Sequence, residues 1–362
     1  MSVQASTFDF QPSLVTTNAW RSRTLAVILM VAIAGIFWVD SRYPALLKRY
    51  HAGTQLKASG ALTFGAVYQV ERTMPLSTRV WRTTVNWLDA NRVGMTFSFL
   101  FGPAALTFLA TLRRRRTNSR YLNTLFGAAA GMPLAVCTNC VAPIARGLYA
   151  SGMSTESVLA AMFASPALNV VVLAMTFALF PLSIALVKLA TVLFLIFVFA
   201  PAVASRQANT PAPICPIEIS VTETWAQALV STARSFLKSF WYVFRVAFPL
   251  MILAAVLGAL VIELLPAQAL IAQATVGGIL LVALVGAFLP VPMAFDVAIA
   301  YIAMTKGVPL PYVVTILCTL GIISVFSLSV VGKTISWKIA AATYSTVAAL
   351  GAAAGLLTRA LF

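Results

Sequence analysis

Two cysteines three residues apart, Cys137 and Cys140, are the residue types in this chain best suited to chemistry. They open a short apolar segment, Val141 to Ser151, which as a helix is about 17 Å long, roughly half a hydrocarbon core. At such an N-terminus the unsatisfied N–H groups and the helix dipole favour a thiolate. A thiolate pair suits soft, thiophilic cargo or thiol–disulfide exchange, and two small buried core residues are the plain alternative. A bound metal ion would fall to the same pair. A structural zinc site wants four nitrogen or sulfur ligands, and the single histidine, His51, lies in a basic loop far along the chain.

Around the thiols stand polar groups at the depth of a membrane midplane. Asn139, Ser165 and Asn169 offer side chains, and Pro143 and Pro166 free backbone carbonyls nearby. Pro290 and Pro292 interrupt a second apolar run in the same manner. These residues form a candidate substrate-binding set, with interhelical hydrogen bonding as the alternative. Two ionisable groups lie near the interruptions. Asp296 is the candidate for a coupling proton, and the alternative is a fixed ion pair with Arg146 or Arg245. Lys188, Lys306 and Glu263 read as snorkelling side chains near span ends.

Positioning such groups requires interrupted helices. Gly131 to Asn169 places a Cys-x-x-Cys, three prolines and an arginine inside an apolar run. Lipid offers no partner for a freed N–H or C=O, so a break of this kind survives only buried in protein or lining a polar cavity. The pattern returns 155 residues later, with Gly131 falling on Gly286, Gly152 on Gly307 and Asn169 on Ser324. The chain therefore carries an internal repeat, and transporters built from repeats place their sites at the repeat interface near the midplane. A break that crosses fully makes the repeats parallel, and one that re-enters makes them inverted.

Composition sets the solvent. The 362 residues are 60% hydrophobic and 9% charged, with a mean hydropathy of +0.93, which excludes a soluble or disordered chain. The formal charge of +16 concentrates in Arg21 to Arg92 and in Arg113 to Arg116 with Arg120. These residues flank apolar segments and lack any nucleic-acid-binding fold, so they set topology and meet anionic headgroups. Cys215 and Cys318 complete four cysteines, too few and too apolar in setting for a secreted disulfide framework.

The fold expected is an all-α polytopic membrane protein: one N-terminal span plus two homologous repeats with broken or re-entrant helices. In order these are a polar N-terminus (1–23), a first transmembrane helix (24–39), an extramembrane basic segment (40–92), repeat 1 (93–204), a Pro-containing linker (205–238) and repeat 2 (239–362). The four-arginine run is expected in the cytoplasm and the loop holding His51 outside it.

At CTNCVAPIARGLYASG with LAAMFASPALNVVVL, and again at LPVPMAFDVAIAYIAMTKGVPL with TLGIISVFSL, the sequence resembles a two-repeat family of bacterial predicted permeases. The organoarsenical efflux permeases belong to the same broad group. The resemblance runs from about Trp87 to about Lys338. Cysteine at the first break follows the family pattern, whereas the second break has Pro290 and Pro292 instead. It implies a multi-pass permease of the bacterial inner membrane, moving a small solute, with soft metals, metalloids or sulfur compounds suiting the thiols. The expected partners are the lipid bilayer and that solute, with no nucleic acid and no cofactor, and a homo-oligomer is left open. The alternative is a membrane thiol–disulfide oxidoreductase using Cys137 and Cys140, which would need a partner thiol pair or quinone. No nucleotide-binding loop suggests direct ATP drive.

Overall fold

The computed structural model describes residues 20–44, 47, 67–71, 73–111, 119–205, 224–264 and 274–361. His51, Arg113 to Arg116 and Cys215 lie outside these residues. The described residues are almost entirely helical. An N-terminal helix α1 (Trp20–Phe37) runs on through a π-helical turn (Trp38–Arg42). Repeat 1 follows as α2 (Leu76–Ala110), α3 (Arg120–Gly131), α4 (Thr138–Ala150), α5 (Thr155–Ala167), α6 (Val170–Leu179) and α7 (Leu182–Phe194). From there α7 continues through a π turn (Leu195–Phe199) to Ser205. Repeat 2 comprises α8 (Trp225–Leu264), α9 (Val276–Phe288), α10 (Phe295–Thr305), α11 (Leu310–Thr319), α12 (Val325–Thr334) and α13 (Trp337–Leu361).

The offset read from the sequence holds in the helices, since α6 and α12 coincide residue for residue when shifted by 155. Their N-caps are the aligned polar pair. Asn169 Oδ1 accepts from Val172 N (3.0 Å) and Ser324 Oγ from Ser327 N (3.2 Å). Each cap satisfies an N–H that lipid could not. Two helices begin earlier than the sequence reading expected: α2 starts at Leu76, within the segment 40–92, and α8 at Trp225, within the linker. Neither Leu76–Arg92 nor Trp225–Phe240 contains glycine or proline to stop a helix. With 35 residues α2 is about 52 Å long and outreaches a hydrocarbon core of about 30 Å, so part of it projects beyond the bilayer.

Five of the helices among the described residues are long and apolar enough to span a membrane, and α5 with α6 makes a sixth, bent by 48° at the Leu168–Asn169 step. Lipid drives no hydrophobic association, so packing relies on close approach of small residues. The contacts fix direction. Gly127 and Gly131 of α3 rest on Ser157 and Ala161 of α5, so those helices run parallel. At the start of α3, Asn123 Nδ2 donates to Glu156 Oε1 (2.9 Å), and α5 begins just after α4 ends at the Gly152 turn (φ 87°). The N-terminus of α3 therefore lies beside the C-terminus of α4, and the first break is the tip of a re-entrant hairpin.

The second break is built the same way. Gly278 of α9 packs on Tyr312, whose hydroxyl accepts from Thr275 N (3.2 Å), and Tyr312 follows α10 just past the Gly307 turn (φ 78°). The two hairpins enter from opposite faces. Trp20 and Ser22 of α1 meet Trp225 (centroids 5.2 Å apart) and Ser231 (3.4 Å) of α8, while Arg23 Nη2 donates to Thr111 O (2.9 Å) at the end of α2. Thus α8 starts where α2 finishes, and the repeats are inverted.

Candidate functional site

The two hairpin tips meet at the centre. The first tip turns at Ala135 (φ 47°) and the second at Ala294 (φ 64°), the two non-glycine residues with positive φ among the described residues. Such a conformation strains an alanine and persists only when its surroundings over-determine it. Here they do. Trp38 Nε1 donates to Pro133 O (2.8 Å), Trp87 Nε1 to Pro290 O (2.6 Å) and Asn139 Nδ2 to Val291 O (3.1 Å), each meeting a carbonyl that a break has released. Ser324 Oγ donates to Asn139 Oδ1 (2.7 Å), so the start of α12 is stitched to the start of α4.

Cys137 is the N-cap of α4, its sulfur accepting from Cys140 N (3.1 Å), and the two cysteines form a disulfide with their Cα atoms 5.1 Å apart. The helix turn itself brings them together, because residues three apart lie on one face. Beside the disulfide is a cavity of about 370 Å³, within the size range of small-molecule sites. Its walls are Cys137 and Cys140 of the first tip, Pro292, Met293 and Phe295 of the second, Ala90, Asn91, Val93 and Gly94 of α2, and Ser41 and Arg42 of the π turn. Gly94 is required there, since a Cβ on it would sit 2.6 Å from Cys140 Sγ. A larger groove of about 450 Å³ on the outside of α1 and α2, lined mainly by Ile33, Ile36, Phe97 and Leu100, touches neither tip.

Of the candidate residues, Cys137, Cys140 and Pro292 line the cavity. Asn139 and Pro290 hold the tips as described. Ser165 Oγ lies 3.3 Å from both Val136 N and Val136 O, and Asn169 Nδ2 donates to Ser165 O (2.7 Å) and Pro166 O (3.1 Å), so this trio secures the α5–α6 bend. Pro143 sits inside α4, packed on Gly102 of α2.

The ionisable pair needs correction. Asp296 is not joined to Arg146 or Arg245; its carboxylate accepts from Lys188 Nζ of α7, with the two side chains 7% and 3% exposed. Lys188 is accordingly no snorkelling residue. It falls on the face of α7 turned to repeat 2, and only tertiary packing reveals which face that is. Asp296 lies in the first turn of α10, where the helix dipole favours a carboxylate, beside Gly321 rather than on the cavity wall. Arg146 instead donates from Nη1 to Thr334 Oγ1 (3.1 Å) and from Nε to Tyr242 O (3.4 Å), its guanidinium 4.2 Å above the Tyr242 ring.

Sequence reasoning missed Arg42, Asn91, Gly94 and Lys188. Among the described residues no cluster of three His, Cys, Asp or Glu side chains could hold a metal ion. Cys318, buried in a separate apolar cluster with Val313 and Leu317, does not join the cavity.

A family model described as predicted permease, ArsP_1, matches residues 104–360. The UPF0718 protein YraQ of Escherichia coli (strain K12) is 27% identical over 245 residues, covering 67% of this chain and 70% of that one. No solved structure matches. The matched region spans all of repeat 2 but its last residues and all of repeat 1 from the last two turns of α2, and contains both re-entrant tips, so this multi-pass membrane chain belongs to the ArsP_1 family of predicted permeases.

Proposed function

We propose that the chain moves a small, thiophilic solute across the bacterial inner membrane through the cavity between the two hairpin tips. The observation that carries this reading is the meeting, in one cavity of about 370 Å³, of the sulfur pair of one repeat with the proline break of the other. A site at the interface of inverted repeats is where alternating access can expose it to each face in turn. An external dithiol, itself oxidised to a disulfide, reduces the Cys137–Cys140 bond by exchange and so presents two thiols at a helix N-terminus, the groups that take the soft atom of the solute. The face carrying Arg120, Lys333 and Lys338 is assigned to the cytoplasm by its positive charge. Asp296 is the coupling group, with Lys188 as the cation that holds it between proton transfers.

A growth and accumulation screen tests this reading. Cells lacking the protein and cells overproducing it are compared on a panel of soft metal, metalloid and sulfur species. The expected result is altered resistance and accumulation for one or more of them, lost in Cys137→Ser and Cys140→Ser variants that remain folded in detergent. A folded double serine variant that transports normally would remove the sulfur pair from solute contact.

A further inference from the structure

We propose that the groove on the outside of α1 and α2 holds one phospholipid, a phosphatidylethanolamine, with an acyl chain along the groove and the headgroup across Asp40 and Arg92. The groove measures about 450 Å³, and its walls are apolar along most of their length. Ile36 and Val93 stand in it 64% and 52% exposed, on helices that span the membrane, so hydrocarbon is their neighbour.

Depth places the two ends of the groove. Arg23 Nη2 on Thr111 O (2.9 Å) ties the start of α1 to the end of α2 at one membrane surface. From Arg23 to Asp40 the helix rises about 26 Å, and from Thr111 back to Arg92 about 28 Å, against a hydrocarbon core of about 30 Å. Asp40 and Arg92 therefore stand together at the headgroup level of the opposite leaflet. Ile33 and Leu100 lie about 10 to 12 Å deeper, at the depth of an acyl chain.

The charges at the mouth select the headgroup. The groove's own lining holds one acid, the exposed Asp40, and one base, Arg92. Arg92 also pairs with Asp89 at 3.0 Å, but its side chain is 74% exposed and a guanidinium has five donors, so it can still give hydrogen bonds to a phosphate. Arg42, two residues past Asp40, lines the cavity beside the hairpin tips and not this groove. Two carboxylates and one guanidinium thus face the headgroup, an arrangement that suits an ammonium beside a phosphate. A choline headgroup has no N–H to donate to Asp40, and a glycerol headgroup brings no positive charge. Ser41 and Val93 line both the groove and the cavity at the tips, so the bound chain lies against the seam that separates that cavity from the bilayer.

The test uses the purified full chain in detergent micelles with a photoactivatable phosphatidylethanolamine that carries a diazirine midway along one acyl chain. Adducts are mapped by peptide mass spectrometry, with unlabelled lipids of identical chains as competitors. Adducts are expected in Ile33–Phe37 and Val93–Leu100. Phosphatidylethanolamine should compete at about fivefold lower concentration than phosphatidylcholine or phosphatidylglycerol, the scale of one exposed ion pair. Asp40→Asn abolishes the preference and leaves the adduct positions unchanged. Ile36→Trp fills the groove and removes the adducts, with thermal unfolding as the check that it is folded. Adducts absent or spread over other helices, equal competition by the three lipids, a preference for phosphatidylglycerol, a preference retained in Asp40→Asn, or adducts retained in Ile36→Trp would each overturn the proposal.

Discussion

Removing one partner of the Lys188–Asp296 pair should cost far more than removing both. The two side chains are 3% and 7% exposed, so both charges have given up nearly all their water. At an ordinary salt-bridge separation of about 3 Å and an effective dielectric of about 20, their attraction is about 5 to 6 kcal/mol. Desolvation costs several kcal/mol per ion, so the intact pair is close to neutral for stability. Asp296→Asn or Lys188→Met alone cancels the attraction but leaves the other charge stranded, a loss of about 3 to 5 kcal/mol. The double variant strands nothing and should lie within about 1 kcal/mol of the parent, giving a coupling energy of at least about 5 kcal/mol, comparable with the attraction itself. Denaturant unfolding of the purified protein, followed by tryptophan fluorescence, provides all four corners of the cycle. Two small, additive losses of under about 1 kcal/mol, as for an exposed pair, would refute the reasoning. The folded double variant then isolates function. If Asp296 couples transport to protons, this variant exchanges solute down its gradient and no longer responds to an imposed pH gradient. A retained response would remove Asp296 from the mechanism.

Gly94→Ala should destabilise by about 1 to 3 kcal/mol, because its Cβ would lie 2.6 Å from a sulfur that the disulfide holds in place, while Gly35→Ala, with nothing within 4 Å, is neutral or slightly stabilising. Thermal unfolding of the two variants checks this, and equal shifts would contradict it. For topology, in a background without native cysteines, an impermeant thiol reagent on intact spheroplasts should label Lys306→Cys and spare Lys338→Cys, since those positions lie on opposite faces; the reverse pattern would invert the assignment of sides.

Much of the architecture was legible because the repeat is written in the positions of interruption. Gly152 and Gly307 are indeed paired left-handed turns, and Asn169 and Ser324 are paired caps. A break in lipid must be signalled by residues that can satisfy it, and such residues stand out in an apolar sequence. The choice between parallel and inverted repeats was not legible, because it turns on whether α3 and α4 continue or fold back, which the contacts of Gly127, Gly131 and Asn123 decide. The cavity was half legible. Cys137, Cys140 and Pro292 lie in the breaks, whereas Arg42 lies in a stretch read as outside the membrane. The docking that carries Arg42 inward depends on Trp38 reaching Pro133 O, a contact 95 residues apart in sequence with no local signature. Lys188 was misread for a related reason. A lysine six residues past the start of α7 is near enough to the end to snorkel, and which way it points depends on the neighbour.

An inverted duplication supplies two arrangements that are mirror images in energy if nothing else is present, for exchanging the shapes of the two repeats turns a molecule open to one side into the same molecule open to the other. Among the described residues helix α1 has no twin, and it is fastened to the first tip through Trp38 and to α2 through the stacked rings of Phe37 and Phe97 (centroids 3.9 Å apart). Whatever those contacts contribute, they contribute to one orientation without an equal on the other side. The two orientations are therefore unequal at rest, and the segment that was never copied adds a bias of its own to the one set by the unlike tips.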